Sequence, residues 1–124
     1  MASTNMVILI GRLGKDPELR YTPQGSPVCN FSLATGETYK LKDGTEKNNT
    51  QWHQIVVWGS QAESCAQYLG KGSQTFIEGE LNYEKFTDKQ GVERVVAKVK
   101  ASRVLFLNKE KSFSEKPEEQ FPMI

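Results

Sequence analysis

The sequence predicts an all-β domain in which one helix interrupts a series of strands. Apolar and polar residues alternate with period two over several stretches, which is typical of half-buried strands. Clusters of Gly, Pro, Asp and Asn separate these stretches, as expected for turns. Only residues 60–69 show the three-to-four-residue spacing of an amphipathic helix. A chain of 124 residues is long enough for one domain with a real core.

The first half of the chain contains three predicted strands. Residues 5–14 are apolar on both parities at first, which predicts a buried strand. After a turn and a short extension at 18–21, residues 28–38 alternate as a half-buried strand. Residues 39–49 are polar and contain an Asp-Gly turn, so they form either a long hairpin arm or a mobile loop. Residues 50–59 form the third strand.

Both tryptophans of the chain lie on this third strand. Because side chains alternate along a strand, Trp52 and Trp58 share one face and lie about 20 Å apart. The two rings belong either to the core or to an exposed platform for a planar ligand. Gln54 on the same face, and Ile55 and Val57 on the other, favour exposure; an apolar Val56 beside Gln54 leaves the question open. Gln51 and His53 complete the opposite face.

The predicted helix follows directly. Ser60 and Glu63 fit a capping box, in which each side chain bonds an otherwise unpaired backbone N–H. Gly70 stands where a left-handed C-terminal cap is expected. Residues 73–86 and 93–107 then return to strand periodicity. One apolar helical stripe is predicted to consist of Ala62, Cys65, Ala66 and Leu69.

Five strands with a helix between the third and the fourth have the connectivity of the OB-fold, a small Greek-key barrel. Beyond Asn108 the periodicity stops. The sequence therefore predicts an OB-fold domain over residues 1–108 and a short, acidic, disordered tail over residues 109–124. Basic residues outnumber acidic ones in the body, and the reverse holds in the tail, which agrees weakly with a body that binds a polyanion.

Composition and motifs argue against several other classes of protein. No apolar run is long enough for a signal peptide or a membrane span, so a cytoplasmic location is expected. Cys29 and Cys65 lack metal-ligand spacing and are expected to be reduced. His53 is the only histidine, and no catalytic or metal-binding constellation accompanies it. We therefore expect no metal, no cofactor, no membrane partner and no enzymatic activity.

Four aromatic residues next to polar or basic segments suggest binding of single-stranded nucleic acid. Such proteins stack bases on aromatic rings and track the phosphates with Lys and Arg. A core location for all four rings explains the composition equally well. The four candidates are Tyr39, Trp52, Trp58 and Phe86.

A likeness to a known family is carried by five stretches of the chain, 5–21, 33–35, 51–53, 68–74 and 77–81. In these stretches the chain resembles the bacterial single-stranded DNA-binding proteins, and the match spans about residues 5–107. The resemblance implies a homotetramer of OB-folds that coats single-stranded DNA in replication, recombination and repair, associated with the nucleoid.

The resemblance also implies roles for individual residues. The four aromatic residues become candidate base-stacking rings, and His53 and Tyr68 become candidate subunit contacts. Asn82 and Glu84 stand where many relatives carry arginine, which implies a thinner set of phosphate contacts. The candidate phosphate contacts are Arg12, Arg20, Lys40, Lys42, Lys47, Lys71, Lys85 and Lys89.

In this family an acidic tip ending in Pro-Phe usually recruits replication and repair proteins. Here the candidate tip contains Glu118, Glu119, Phe121 and Pro122, with Phe and Pro in inverted order. The resemblance therefore leaves partner recruitment through this tail open.

Two other functions remain compatible with these observations. A replication-restart accessory of the same fold, a primosomal protein that acts mainly through protein contacts, agrees with the atypical tail. An RNA-binding OB module is a third candidate, which a comparison of oligo-dT with oligo-U binding distinguishes because only RNA carries the 2′-hydroxyl. A nucleic-acid hydrolase has no catalytic constellation in its favour.

Overall fold

A computed structural model describes residues 2–107. The strands and the helix follow one another in the order that the sequence predicts, with one additional short strand. Their order along the chain is β1 (Val7–Leu13), β2 (Glu18–Tyr21), β3 (Pro27–Lys40), β4 (Glu46–Trp58), α1 (Ser60–Tyr68), β5 (Gln74–Thr87) and β6 (Glu93–Phe106).

Five of the strands close into a barrel. They neighbour each other in the order β1-β5-β6-β4-β3, and pairing of β1 with β3 closes the ring. Strand β4 pairs with β6 in parallel, and the other pairs are antiparallel. The short extension predicted after the first turn is β2, which adds to the edge of β3. The predicted OB-fold is confirmed, with α1 between the third and fourth barrel strands.

The core consists of the inward-facing side chains of the barrel and one side of the helix. Leu33, Ile55, Val57 and Ile77 are buried between the strands. Burial of each such side chain stabilises the fold by about 1.5–3 kcal/mol. The predicted helical stripe is confirmed, since Ala62, Cys65 and Leu69 are buried and Ala66 packs against the same cluster.

Both predicted helix caps are wrong. The helix begins at Ser60, so the N-cap position falls on Gly59, whose φ of 83° turns the chain sharply out of β4. Glu63 does not fold back to cap; its carboxylate accepts a hydrogen bond from the Tyr21 hydroxyl at 3.1 Å. At the other end, Leu69 leaves the helix in an extended conformation, and the glycine with left-handed backbone is Gly72, with a φ of 87°, in the turn that follows.

Two hairpin arms continue beyond the barrel. Residues 39–49 form a hairpin rather than a loop, because pairing between β3 and β4 extends without interruption to Lys40 and Glu46. Strands β5 and β6 form the second arm, paired out to Thr87 and Glu93.

The prediction of a buried first strand is wrong within one chain. Val7 and Leu9 are half-buried, whereas Met6, Ile8 and Ile10 are 61%, 57% and 53% exposed. In a barrel only one face of a strand points to the core, so apolar residues of the other parity lie on the outside. The apolar sequence of this strand therefore leaves an uncovered apolar surface.

The predicted acidic tail lies outside the described residues, as do Glu118, Glu119, Phe121 and Pro122. The disorder and partner binding predicted for it, like the domain boundary at 108, stay predictions. In the part of the chain that is described, no helix is both long and apolar enough to cross a membrane.

Both cysteines are free and buried. Burial raises the pKa of the Cys29 thiol to about 11. Burial, and secondarily the proximity of Cys29, raises the pKa of the Cys65 thiol to about 12. Both thiols therefore stay protonated in the folded protein at neutral pH.

These pKa shifts predict a loss of stability in alkali. An unfolded thiol ionises near its ordinary pKa of about 8.5, before the folded one, so the stabilisation is complete below that pH and declines above it. Between its unfolded and folded pKa values, each buried thiol lowers the free energy of unfolding by up to about 1.4 kcal/mol per pH unit. Urea unfolding between pH 8 and 10.5 measures the free energy of unfolding of the wild type and of the control variant Cys65→Ser. If this free energy falls equally steeply with pH in both proteins, the prediction is wrong.

Candidate nucleic-acid interface

Strand β4 presents its two tryptophans on the outside of the barrel. Trp52 and Trp58 are 57% and 46% exposed, whereas Ile55 and Val57 on the opposite face are 1% and 0% exposed. The expectation that the tryptophan side faces outward is confirmed, and a core location for these rings is wrong. We call this outer surface, Trp52, Gln54, Val56 and Trp58, the tryptophan face.

Trp52 is supported by the backbone of β1's end. Its ring lies over Gly14: a Cβ built on Gly14 would stand 2.5 Å from Cζ3 and 2.7 Å from Cη2 of the ring. The amide of Gly14 is itself held by Ser32, whose carbonyl oxygen accepts its N–H at 3.2 Å. Because Gly14 has no side chain, the indole packs directly against its backbone on one side, while more than half of the Trp52 residue remains accessible.

Arg12 lies in line with Trp52 across the sheet. Arg12 is the register partner of Ala34, and Ala34 is the register partner of Trp52. Residues directly opposite one another in paired strands point to the same face, so all three share the outside. The Arg12 guanidinium also donates a hydrogen bond to the carbonyl oxygen of Gly72 at 3.0 Å, which orients it.

Arg20 has the same relation to Trp58. It is the partner of Val28, and Val28 is the partner of Trp58. Arg20 is exposed and pairs with the carboxylate of Glu18 at 3.1 Å. Each tryptophan therefore has an arginine two strands away on its own face.

Two lysines that sequence reasoning missed lie on the other side of the tryptophan face. On β6, Lys98 is the partner of Gln54 and Lys100 the partner of Val56, so both lie alongside the interval between the tryptophans. Their alternation with buried Val99 and Ala101 is visible in the sequence and could have identified them as outward-facing. The alternation does not show which strand the two lysines lie beside.

A shallow groove of about 190 Å³ runs across this surface. Four neighbouring strands contribute two residues each to its lining. They are Val28 and Asn30 from β3, Val56 and Trp58 from β4, Asn82 and Glu84 from β5, and Lys98 and Lys100 from β6.

The other two candidate rings lie on the arms, and the structure separates them. Phe86 is opposite Arg94 and has the same parity on β5 as Asn82 and Glu84, so it extends the groove surface along that arm. Tyr39 is opposite Lys47 and has the parity of buried Leu33, so it lies on the reverse of the β3–β4 arm from Trp52. Both rings are about half exposed.

The remaining candidate phosphate contacts are exposed but dispersed. Lys40 has the outward parity on the first arm, and Lys42 lies in its turn. Lys85 lies on the reverse of the second arm from Phe86, opposite Val95, and Lys89 lies at its tip. Lys71 lies in the turn that binds Arg12, where its own backbone N–H donates to Asp16 at 2.8 Å. Only Arg12 and Arg20 of the predicted set adjoin the tryptophan face directly.

An aspartate organises the turn at each arm tip. Asp88 accepts hydrogen bonds from the backbone N–H groups of Gln90 and Val92, at 2.9 and 3.0 Å, and from Arg94 Nε at 2.8 Å. The Arg94 side chain is the main cause that lowers the pKa of Asp88. In the other turn the hydroxyl and N–H of Thr45 lower the pKa of Asp43. Both carboxylates thus stay charged and committed to their own turns.

The two candidate subunit contacts lie elsewhere. His53 is half-buried on the inner parity of β4, and its Nε2 lies 2.8 Å from the Thr35 hydroxyl. Tyr68, at the end of α1, is partly exposed, and its ring centroid lies 5.9 Å from that of Phe106. Within residues 2–107, no three His, Cys, Asp or Glu side chains are grouped to hold a metal ion.

The class that the fold defines is the OB-fold barrel, and outward aromatic rings near arginines and lysines are the features with which OB-fold proteins of the single-strand-binding type hold nucleic acid. The family model described as the single-strand binding protein family matches residues 4–107. The chain belongs to this family.

Individual relatives agree with this assignment. Two proteins named single-stranded DNA-binding protein, from Neisseria meningitidis serogroups A and B, are each 45% identical over 105 residues, which cover 85% of this chain. The chain spans about 60% of the length of these relatives. A chain of the Plasmodium falciparum SSB complex with ssDNA superposes with a TM-score of 0.78 at 29% identity, covering 87% of this chain and 98% of that one.

The contact between the Trp52 ring and Gly14 gives a direct prediction. In a Trp58→Phe background Trp52 is the only tryptophan, so its fluorescence reports its surroundings. Gly14→Ala places a methyl group where the ring lies, and we expect the indole to swing away, with a shifted emission maximum and a weaker near-UV circular dichroism signal. Far-UV circular dichroism of the same samples controls for the fold. Identical emission spectra before and after the change would rule out this contact.

Proposed function

We propose that this chain is a non-enzymatic, sequence-independent binder of single-stranded DNA that coats and protects exposed strands during replication, recombination and repair. The observation that carries the proposal is the exposed pair of tryptophans on one face of β4, with cationic side chains on both sides. The rings of Trp52 and Trp58 are accessible although Ile55 and Val57, on the opposite face of the same strand, are in the core.

The chemistry of this face suits single strands rather than duplexes. A base can lie flat on an indole only when it is not already stacked and paired in a duplex. In OB-fold single-strand binders each such contact contributes about 1–3 kcal/mol for any base, because every base has a π-face. Arg12, Arg20 and Lys100 supply charges for the phosphates, which carry no sequence information.

A titration followed by tryptophan fluorescence tests the proposal. We expect oligo-dT to quench the emission strongly and duplex DNA of equal length to leave it nearly unchanged. Oligo-U in a parallel titration distinguishes DNA from RNA preference. Equal quenching by the duplex, tighter binding of oligo-U, or no quenching by any of the three would overturn the proposal.

Removal of either tryptophan ring is expected to weaken binding. Trp52→Ala and Trp58→Ala should each lower the affinity for oligo-dT by about 1–3 kcal/mol, or roughly 5- to 150-fold. Anisotropy of a labelled oligonucleotide measures this loss. Tyr83→Ala is the matched control, because Tyr83 is an exposed ring on the reverse of β5 from the groove. A loss as large in the control as in the tryptophan variants would count against the face assigned here.

We also propose that copies of the chain assemble, as a homotetramer, through the outside of β1. Met6, Ile8 and Ile10 form an apolar row on this face, and their β5 neighbour Phe76 extends it next to Ile10. Apolar rows of this kind on a soluble domain mark interaction sites.

The backbone of β1 supports the same proposal. Its pairing with β5 spans Val7 to Arg12, but its pairing with β3 includes only Arg12 and Leu13. Gly11 lies against the backbone of Ala34 on β3, so it is the other edge of residues 7–10 that has no strand partner among the described residues. An open edge beside an apolar row can accept the same strand of a second copy.

A charge on this row should break the assembly. Light scattering coupled to size exclusion is expected to give about four times the chain mass of 14.0 kDa for the wild type and a smaller mass for Ile8→Glu. Val95→Glu is the matched control, since Val95 is 61% exposed, as accessible as Ile8, but lies on the β5–β6 arm. If Ile8→Glu retains the wild-type mass, or Val95→Glu dissociates equally, β1 is not the contact.

A further inference from the structure

The groove beside Trp58 contains one carboxylate among its eight lining residues, that of Glu84. Its Oε1 lies 3.0 Å from Nζ of Lys98, which lines the same groove. The Glu84 side chain is 57% exposed and that of Lys98 is 31% exposed, so the pair faces the solvent that a DNA strand would displace. One of the two groove lysines is thus already occupied by an anion of the protein itself.

Strand register accounts for the contact. Asn82 is directly opposite Lys98, and Glu84 is opposite Val96, so Glu84 and Lys98 are diagonal neighbours on the outer side of the β5–β6 pair. Long side chains reach one another at this diagonal distance. Lys100, two residues further along β6, is directly opposite Glu80, but among residues 2–107 it makes no ion pair with this or any other carboxylate. The two lysines therefore differ in what a phosphate meets on arrival.

We propose that the Glu84 carboxylate is an internal competitor for DNA phosphate at Lys98 and thereby lowers the affinity of the groove for single strands. This inference rests on the proposed function. A DNA phosphate can pair with Lys98 only if it displaces the Glu84 carboxylate. A carboxylate that stays in the groove repels the phosphate. Exposed ion pairs of this kind are weak, so the exchange is possible and keeps bound DNA easy to release.

The exchange has a signature in salt dependence. A phosphate that meets a lysine with no anionic partner releases its condensed cation, which steepens the fall of log K with log salt by about 0.7 per phosphate for single strands. At the Glu84–Lys98 pair the net charge is zero, so this site contributes little to the slope. Removal of the carboxylate charge should convert Lys98 into a full contributor.

Glu84→Gln tests the inference with oligo-dT in 0.05–0.4 M NaCl. We expect roughly two- to tenfold tighter binding at about 0.1 M salt and a salt slope steeper by about 0.7 for each Lys98 engaged. Glu63→Gln is the matched control: it removes one negative charge from α1, away from the groove lining, and its amide oxygen can still accept from Tyr21. Thermal melts of all variants control for folding.

The double variant Glu84→Gln/Lys98→Gln separates a local exchange from a general change in net charge. If Glu84 acts on Lys98, the second substitution removes most of the gain in affinity and returns the slope to the wild-type value. If the gain persists without Lys98, or if Glu63→Gln gives the same gain, the inference is overturned while binding itself stands. If the wild-type chain does not bind oligo-dT at all, both the inference and the proposed function fall.

Discussion

The register between β3 and β4 is the constraint on which the rest of the structure depends. The two strands pair residue by residue from Val28 to Lys40, and this places Ile55 and Val57 in the core and both tryptophans outside. A slip of one residue would exchange the two faces, since side chains alternate with period two. Two bulky indoles would then have to fit inside a small barrel, and two aliphatic side chains would face water. Core packing and the candidate binding surface are therefore set by the same backbone pairing.

The barrel turns this one strand into a surface by adding neighbours on both sides. Arg12 and Arg20 reach the tryptophans through β3, and the lysines of β6 lie on the other side of β4. The parallel β4–β6 pairing matters most here, because it joins strands far apart in the chain. Two cations on this face form ion pairs within the protein, Arg20 with Glu18 and Lys98 with Glu84. The attraction of this face for anions is therefore weaker than it would be if these side chains had no carboxylate partners.

Much of the fold was predictable because strand and helix periodicity report burial directly. The alternation around the tryptophans correctly indicated an outward face, and the spacing of Ala62, Cys65 and Leu69 correctly indicated the buried side of α1. The helix caps were not predictable, because the choice between Gly59 and Ser60 depends on where β4 ends against its partner. The first strand misled because apolar residues on both parities look alike whether the second face meets a core or another molecule.

The sequence by itself determined the order of the strands and the helix, which is that of an OB-fold, and it placed both tryptophans on the same face of β4, because each depends on local periodicity and element order. Only the tertiary structure decided that this face is the outside of the barrel and which cations join it. It brought Lys98 and Lys100 beside the tryptophans, left Tyr39 and Lys85 on the reverse of their arms, and paired Glu84 with Lys98. These relations depend on the register between strands distant in the chain, and pairing across a barrel leaves no periodic trace in any one segment.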